Sequence, residues 1–518
     1  MSLFNIKETL RENSKNAKSV NNIVFNILSR GLLFLAYAII ARRFGASINT
    51  DALYFSINIA GITSSLILIH FNTCIFPEIC NQGLSADKHE VRKVSGEYLG
   101  FTIFSSATII LVSGFSAMVL LPNKNWNSYF GIRPISLPLL VFPLVSIFIC
   151  NISDFLRVFL LTQGLAAKSA QATIVQNAVF LLFVTMATTV QFSSKIIIVY
   201  VMSQIVGLIV LICLAKLNNI LPSISFDPSK YLGFFRVSAI AFAAHLVTCI
   251  AGYSFEIKSL SAGEKIVTYI NNGMRLANIV NVALVIPALE IISIKLVGFL
   301  KKDREEAIAY FTQCVNLFLN LGVVAGINLA VFSNQLVDLL YGSLVYSNRA
   351  VEVTSLVVII SGASMPFIFL TQLFNRLLVI SGLTNRACSF GVVIYLLQIT
   401  LLSTIDSGSL DAVKLVAIRS CTEALLVFPV TIYVTIKYAS NHWCGLVKNY
   451  QLPNHFRHIL VAGCMWSSFK VSQKALTESK SEFLMQFDKS LFLFFLIGSL
   501  IVSFYYVEKV HKKLILIK

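Results

Sequence analysis

Apolar stretches of spanning length follow one another along almost the entire chain, at about 20–41, 52–77, 95–121, 135–162, 169–190, 195–215, 234–255, 266–297, 308–332, 353–379, 388–404, 410–436, 456–473 and 489–507. A helix needs about 20 apolar residues to cross the hydrocarbon core of a bilayer. Only closed barrels and helices satisfy the backbone there, and these runs lack the alternation of barrel strands. The sequence therefore predicts an all-α, polytopic membrane protein with about 14 transmembrane helices, and no stretch between them is long enough for a soluble domain. Composition agrees: of 518 residues 56% are hydrophobic and 13% charged, about half the charged share of a soluble domain.

The net charge of +17 would suit nucleic acid if the bases shared one solvated face. Instead they fall in small groups between apolar runs, such as Lys88, Arg92 and Lys93, or Lys301, Lys302 and Arg304, so no nucleic-acid partner is expected. Loops taken as cytoplasmic with the N-terminus inside hold about 24 of the 41 Lys and Arg, although Lys470, Lys474, Lys480 and Lys489 stand on the other side. The count predicts both termini in the cytoplasm. The polar start MSLFNIKETLRENSKNAKSV, with no small-residue cleavage site after the first apolar run, reads as a lead-in rather than a signal peptide. The ten cysteines show no CxxC and fall mostly in apolar runs, the pattern of small buried hydrophobes. No metal and no cofactor are expected, a coupling ion of unknown identity aside.

A faint internal repeat links FGASINTDALYFSINIA (44–60) with LSAGEKIVTYINNGMRLANIV (260–280). Each is a small-residue turn, a charge near a helix start, a tyrosine, then Asn and small residues. Pro77 with Glu78 and Pro287 with Glu290 follow. Duplicated helix bundles are a common transporter plan, with the substrate between the halves.

Ionisable groups inside a span cost about 2.5–3.5 kcal/mol each on insertion scales, so each calls for a partner, water or a function. Arg419 with Glu423, at i and i+4, and Asp154 with Arg157, at i and i+3, can neutralise each other locally. His70 and His245 can be neutral and bonded to a neighbouring helix. Arg30 and Arg275 differ: neither has an acid three or four residues away, the neighbours being Asn26, Ile27 and Phe34 for the first and Asn271, Asn272, Asn278 and Ile279 for the second. Such a guanidinium must face the bundle interior, where its planar fork suits phosphate or carboxylate. The competing expectation is a cross-bundle ion pair to Asp51 or Glu290. Neither GxxxxGK[ST], HExxH nor GxSxG occurs, so ATP hydrolysis and the corresponding hydrolytic chemistries find no motif, and an enzyme is not expected.

The stretch SRGLLFLAYAIIARRFGASINTDALYF, with Ser29-Arg30, the helix end Ile39–Ala46 and Thr50-Asp51-Ala52, resembles the first helical hairpin of the MurJ/MviN family of lipid-linked precursor flippases, in the multidrug/oligosaccharidyl-lipid/polysaccharide exporter superfamily. YINNGMRLANIVNVALVIPAL (269–289) is similar to that family's eighth helix, with Arg275-Leu276 as its Arg-Leu. The resemblance implies two pseudo-symmetric six-helix lobes and two extra C-terminal helices: a lead-in at 1–19, lobes at 20–220 and 221–440, and the extra pair at 441–518. It implies a multi-pass protein of the bacterial cytoplasmic membrane that carries an undecaprenyl-diphosphate-linked saccharide between leaflets by alternating access. Lipid II is the nominal cargo, and membrane lipids and cell-envelope biosynthesis enzymes are the expected surroundings. By position, Arg30 and Arg275 become the cavity cations and Asp51 the outer-end acid, with Arg42 and Asn272 completing the substrate-binding set. The chain departs from the family pattern at Ala36-Tyr37, where an Arg-Asp pair is usual, at Ser64-Ser65, where paired arginines are usual, and at Met274, where Asp precedes the eighth-helix arginine. These losses leave a surface-polysaccharide repeat unit as an alternative cargo, with a cation-coupled drug exporter and a non-transporting scaffold as further alternatives.

Overall fold

A computed structural model describes residues 3–70, 88–120, 137–163, 165–186, 192–286, parts of 288–299, 304–381, 383–404 and 411–435. Among these residues the chain is helical and contains no strand. The helices are α1 (Leu3–Phe44), α2 (Ile48–His70), α3 (Lys88–Leu120), α4 (Leu137–Thr162), α5 (Ala166–Met186), α6 (Phe192–Leu217), α7 (Pro228–Ser261), α8 (Ile266–Ala277), α9 (Arg304–Tyr341), α10 (Asn348–Ile380), α11 (Thr384–Thr404) and α12 (Ala412–Thr422). Wider π-helical stretches follow α8 at Asn281–Val285 and α12 at Glu423–Val427. Seven of the described helical segments, among them Val24–Phe44, Lys195–Leu217 and Asn348–Ile380, are long and apolar enough to cross a membrane. The protein is thus a multi-pass, all-α membrane protein. Its polar lead-in is the start of α1 rather than a separate loop. The expected helices beyond 441, together with Pro77, Glu78, Pro287 and Glu290, lie outside the described residues.

Among the described residues the helices group into two compact units, one within 1–288, 338–351 and 395–412, the other within 289–337, 352–394 and 413–435. In the first unit α1 packs along α5, α4 lies against α3 and α6, and α2 is flanked by α4, α7 and α8. Its core joins Tyr37, Ile40, Leu53, Tyr54, Ile57, Phe180, Val184 and Ile197, and a second cluster joins Tyr98, Phe155, Phe159, Leu160 and Leu211. In a membrane, close approach of small residues rather than water exclusion holds helices together. The second unit shows this at Gly326, where a Cβ would come within 2.7 Å of the Gly362 carbonyl oxygen, so only glycine lets α9 and α10 meet there.

The turn between α1 and α2 sets the position of everything at that end of the first unit. Ser47 and Thr50 cap α2 reciprocally: the Ser47 N–H donates to Thr50 Oγ1 at 2.8 Å and the Thr50 N–H to Ser47 Oγ at 3.4 Å, a capping box. Gly45, just before it, has φ +61°, and a Cβ there would lie 2.6 Å from the Val345 carbonyl oxygen. Left-handed backbone costs a substituted residue roughly 1–2 kcal/mol before any clash is counted. Gly45→Ala is accordingly expected to destabilise the protein by about 2 kcal/mol or more, read as a lowered melting temperature of the purified protein in detergent. An unchanged melt would contradict this account of the turn.

Candidate anion-binding site

The junction of α1, α2 and α8 gathers three of the five residues singled out from the sequence. Arg275 emerges from the last turn of α8 and lies over Tyr37 of α1, its guanidinium carbon 3.4 Å from the ring centroid, with the Tyr54 ring of α2 at 4.8 Å. An aromatic face attracts the guanidinium charge but accepts few of its N–H hydrogen bonds. One nitrogen is left over: Nη1 is buried and makes no hydrogen bond. A buried unpaired donor costs about 1–3 kcal/mol, more if charged, so the junction holds a cation with an unfilled donor nitrogen. Neither expected ion-pair partner supplies it among the described residues: Asp51 is engaged elsewhere, as described next, and Glu290 lies outside them.

Asn272, one turn before Arg275, is fully buried and held by three tyrosines. Tyr54 donates to its Oδ1 at 3.0 Å, its Nδ2 lies 3.5 Å from the Tyr346 oxygen, and Tyr341 donates to its carbonyl at 3.2 Å. Its amide therefore fixes the tyrosines around Arg275. Asp51 is 3% exposed and caps α8 from another helix. Its carboxylate accepts the Lys265 N–H at 2.5 Å, the Thr268 N–H at 2.8 Å and the Thr268 hydroxyl at 2.6 Å. The first turn of a helix has unpaired N–H groups and a positive dipole end, which a carboxylate satisfies together. The cap also holds Lys265 in left-handed backbone, φ +74°. The two segments that echo each other in sequence, 44–60 and 260–280, are thus in direct contact.

Arg30 and Arg42 lie apart from this junction. Arg30 is half-buried, next to Ser29, whose hydroxyl and carbonyl both accept from Asn177 of α5. It is seven residues from Tyr37, hence on the same face of α1 about 10 Å along the axis. Arg42 is exposed; its carbonyl accepts the Ser343 hydroxyl at 2.9 Å, while neighbouring Arg43 donates to the Thr185 carbonyl at 2.6 Å.

The local pairs read from spacing are present: Arg157 donates to Asp154 at 2.8 Å and Arg419 lies 3.9 Å from Glu423. His245 is bonded to a neighbouring helix, its Nε2 3.0 Å from Ser65 Oγ. Two buried acids were missed, Glu97 of α3, 7% exposed, and Glu256 of α7. Glu256, 6% exposed, accepts from Asn58 of α2, which also donates to Asn271, both at 2.9 Å. It sits just past the apolar run ending at 255, so hydropathy placed it in a turn. No group of His, Cys, Asp and Glu suited to a metal occurs among the described residues.

No protein-family model and no curated protein matches the sequence. Solved structures do match in fold. A lipid II flippase MurJ in an inward closed conformation superposes with a TM-score of 0.64 over 94% of this chain and 99% of its own, at 13% identity. An inward-facing multidrug resistance MATE family transporter gives a TM-score of 0.59 over 84% of this chain and 100% of its own, also at 13% identity. A transporter of the same superfamily from Pyrococcus furiosus gives 0.53 over 82% and 96%, at 10% identity. Likeness over most of this chain and nearly all of each neighbour, at identities too low to carry substrate, shows that this chain has the fold these transporters share.

Proposed function

We propose that the protein is a flippase that moves a diphosphate-linked lipid saccharide across the cytoplasmic membrane, both termini lying in the cytoplasm. The observation that carries this reading is the Arg275 guanidinium, lying over Tyr37 with Nη1 buried and unpaired. A phosphate oxygen supplies the missing acceptor, and a charge-assisted bond to it is about twice as strong as a neutral one. Arg30, on the face of α1 that carries Tyr37, is a second cation for the same diphosphate. Asp51 and Asn272 act by holding α8 and its tyrosines, and Arg42 stands at the helix end. The protein transports rather than transforms its cargo. Lipid II is the nominal saccharide and a surface-polysaccharide repeat unit the alternative; envelope biosynthesis enzymes are the partners that would supply it.

The test is translocation of a fluorescent undecaprenyl-diphosphate-linked saccharide in proteoliposomes. Wild-type protein is expected to flip it, and Arg30→Lys to slow flipping at least severalfold, because an ammonium keeps the charge but loses the planar fork. No flipping by the wild type, with a cationic drug exported instead, would transfer the protein to the exporter class.

A further inference from the structure

The face of α2 that carries Asn58, Ile62 and Ser65 meets α7 in a seam of hydrogen bonds. Asn58 donates to Glu256 at 2.9 Å, the Cys249 thiol donates to the Ile62 carbonyl at 3.4 Å, and Ser65 Oγ lies 3.0 Å from Nε2 of His245. His245 is half-buried within the apolar run 234–255, and an ionisable group at such depth is a functional candidate in its own right. We propose that His245 is a proton-binding site of the transport cycle: its ring is neutral while α2 and α7 are in contact and takes a proton at Nδ1 when they part. The inference rests on the flippase reading and names the ion that drives it.

The hydrogen bonds fix which nitrogen is the base. Ser65 gives its own proton to the Ile62 carbonyl at 2.6 Å, so its oxygen accepts from His245 and Nε2 carries the ring proton. Nδ1 then holds the free lone pair, and it makes no hydrogen bond among the described residues. A proton taken up there forms the second N–H of an imidazolium and breaks no bond already present, because Nε2 still donates to Ser65. The tie between the helices at this point is therefore kept in both protonation states, while the charge in the seam changes by one.

No anion faces the ring to balance that charge among the described residues. Along the seam α2 brings Asn58, Thr63 and Ser65, which are uncharged; its carboxylate, Asp51, caps α8 about 21 Å from Ser65 along the helix axis. On α7 itself the titratable neighbours are Cys249, Tyr253, whose hydroxyl is 2.5 Å from that of Thr63, and Glu256, about 16 Å along the axis and bonded to Asn58. The α8 helix adds a like charge, Arg275, over Tyr37, and Asp154 of α4, which lines a recess together with Ser65, is paired with Arg157. The side chain of His70 lies outside the described residues. An imidazolium in the closed seam thus has no counter-ion in an apolar setting, whereas parted helices admit water to it. Proton uptake favours separation of α2 and α7, and separation raises the affinity for the proton by the same factor.

His245→Gln provides the test, because its amide keeps an N–H donor for Ser65 and takes up no proton in this range. Nitrogen NMR of full-length, histidine-labelled protein in nanodiscs, with the variant identifying the His245 signal, is expected to show an Nε2–H tautomer that becomes imidazolium as the pH falls from about 8 to about 5. In proteoliposomes, wild-type flipping of undecaprenyl-diphosphate-linked N-acetylglucosamine, a diester whose charge is constant over this interval, should rise at least about fivefold on the same acidification, the lower end of ordinary coupling. His245→Gln should flip at the wild-type high-pH rate throughout, at an unchanged melting temperature. Titration of other groups, Asp51 and Glu256 included, is common to both proteins, so the difference between the two profiles belongs to His245. A ring that stays neutral over the interval, a pH profile that His245→Gln shares with wild type, or a rate that follows sodium instead of pH overturns the proton site and leaves the flippase reading standing. No flipping by wild type at any pH overturns the flippase reading and the coupling together.

Discussion

Arg275→Ala is expected to abolish flipping while the protein remains inserted and folded. The guanidinium makes no ion pair among the described residues and leaves Nη1 unsatisfied, so its removal strands no acid and relieves an insertion cost of about 2.5–3.5 kcal/mol. What is lost is a charge-assisted bond worth about 1.5–3 kcal/mol, a weakening of roughly 10- to 150-fold in affinity for undecaprenyl diphosphate. Arg275→Lys discriminates between charge and geometry. An ammonium can still face a tyrosine ring but cannot offer the planar fork of donors of a guanidinium, so lysine should recover only part of the binding. Affinity titrations and proteoliposome assays on the two variants decide the matter. Full flipping by Arg275→Ala would remove the anion site from the mechanism.

The second large effect belongs to Asp51, and it concerns stability. Asp51→Ala removes the acceptor of three donors on another helix, including two N–H groups at the start of α8. Cap losses alone cost about 0.5–2 kcal/mol, and buried donors left unpaired cost about 1–3 kcal/mol. A destabilisation of about 3 kcal/mol is expected, seen as a lowered melting temperature in detergent. Asp51→Asn should recover part of it: one oxygen can still accept from Thr268, while the amide nitrogen opposes the Lys265 N–H. A role confined to the cargo would give the reverse pattern, weaker lipid binding with an unaltered melt.

These two residues show where sequence reasoning stops. Arg275 was singled out because charge in an apolar helix is costly, which depends only on the bilayer as solvent, whereas Asp51 entered through the family resemblance as the outer-end acid. Arg157 and Arg419 were paired correctly with Asp154 and Glu423 because three- and four-residue spacings place side chains on one helix face. Asp51 and Lys265 are 214 residues apart, and no periodicity connects them. Ser64-Ser65 stand on α2 where the family pattern has paired arginines, and Ala36-Tyr37 on α1 where it has an Arg-Asp pair. In isolation these looked like the loss of a site. In the structure Tyr37 is the platform of Arg275, and the serines bond to neighbouring helices, Ser64 to Asn151 and Ser65 to His245.

The sequence by itself determined the solvent, the helical class and the costly cations, since each follows from local composition, helix geometry and the price of charge in hydrocarbon. Tertiary structure alone decided that Asp51 caps α8, that Asn272 is bound by three tyrosines, and that Arg275 keeps an unfilled donor. Those outcomes depend on which helix faces meet, and in a membrane small residues and hydrogen bonds between distant segments determine that packing.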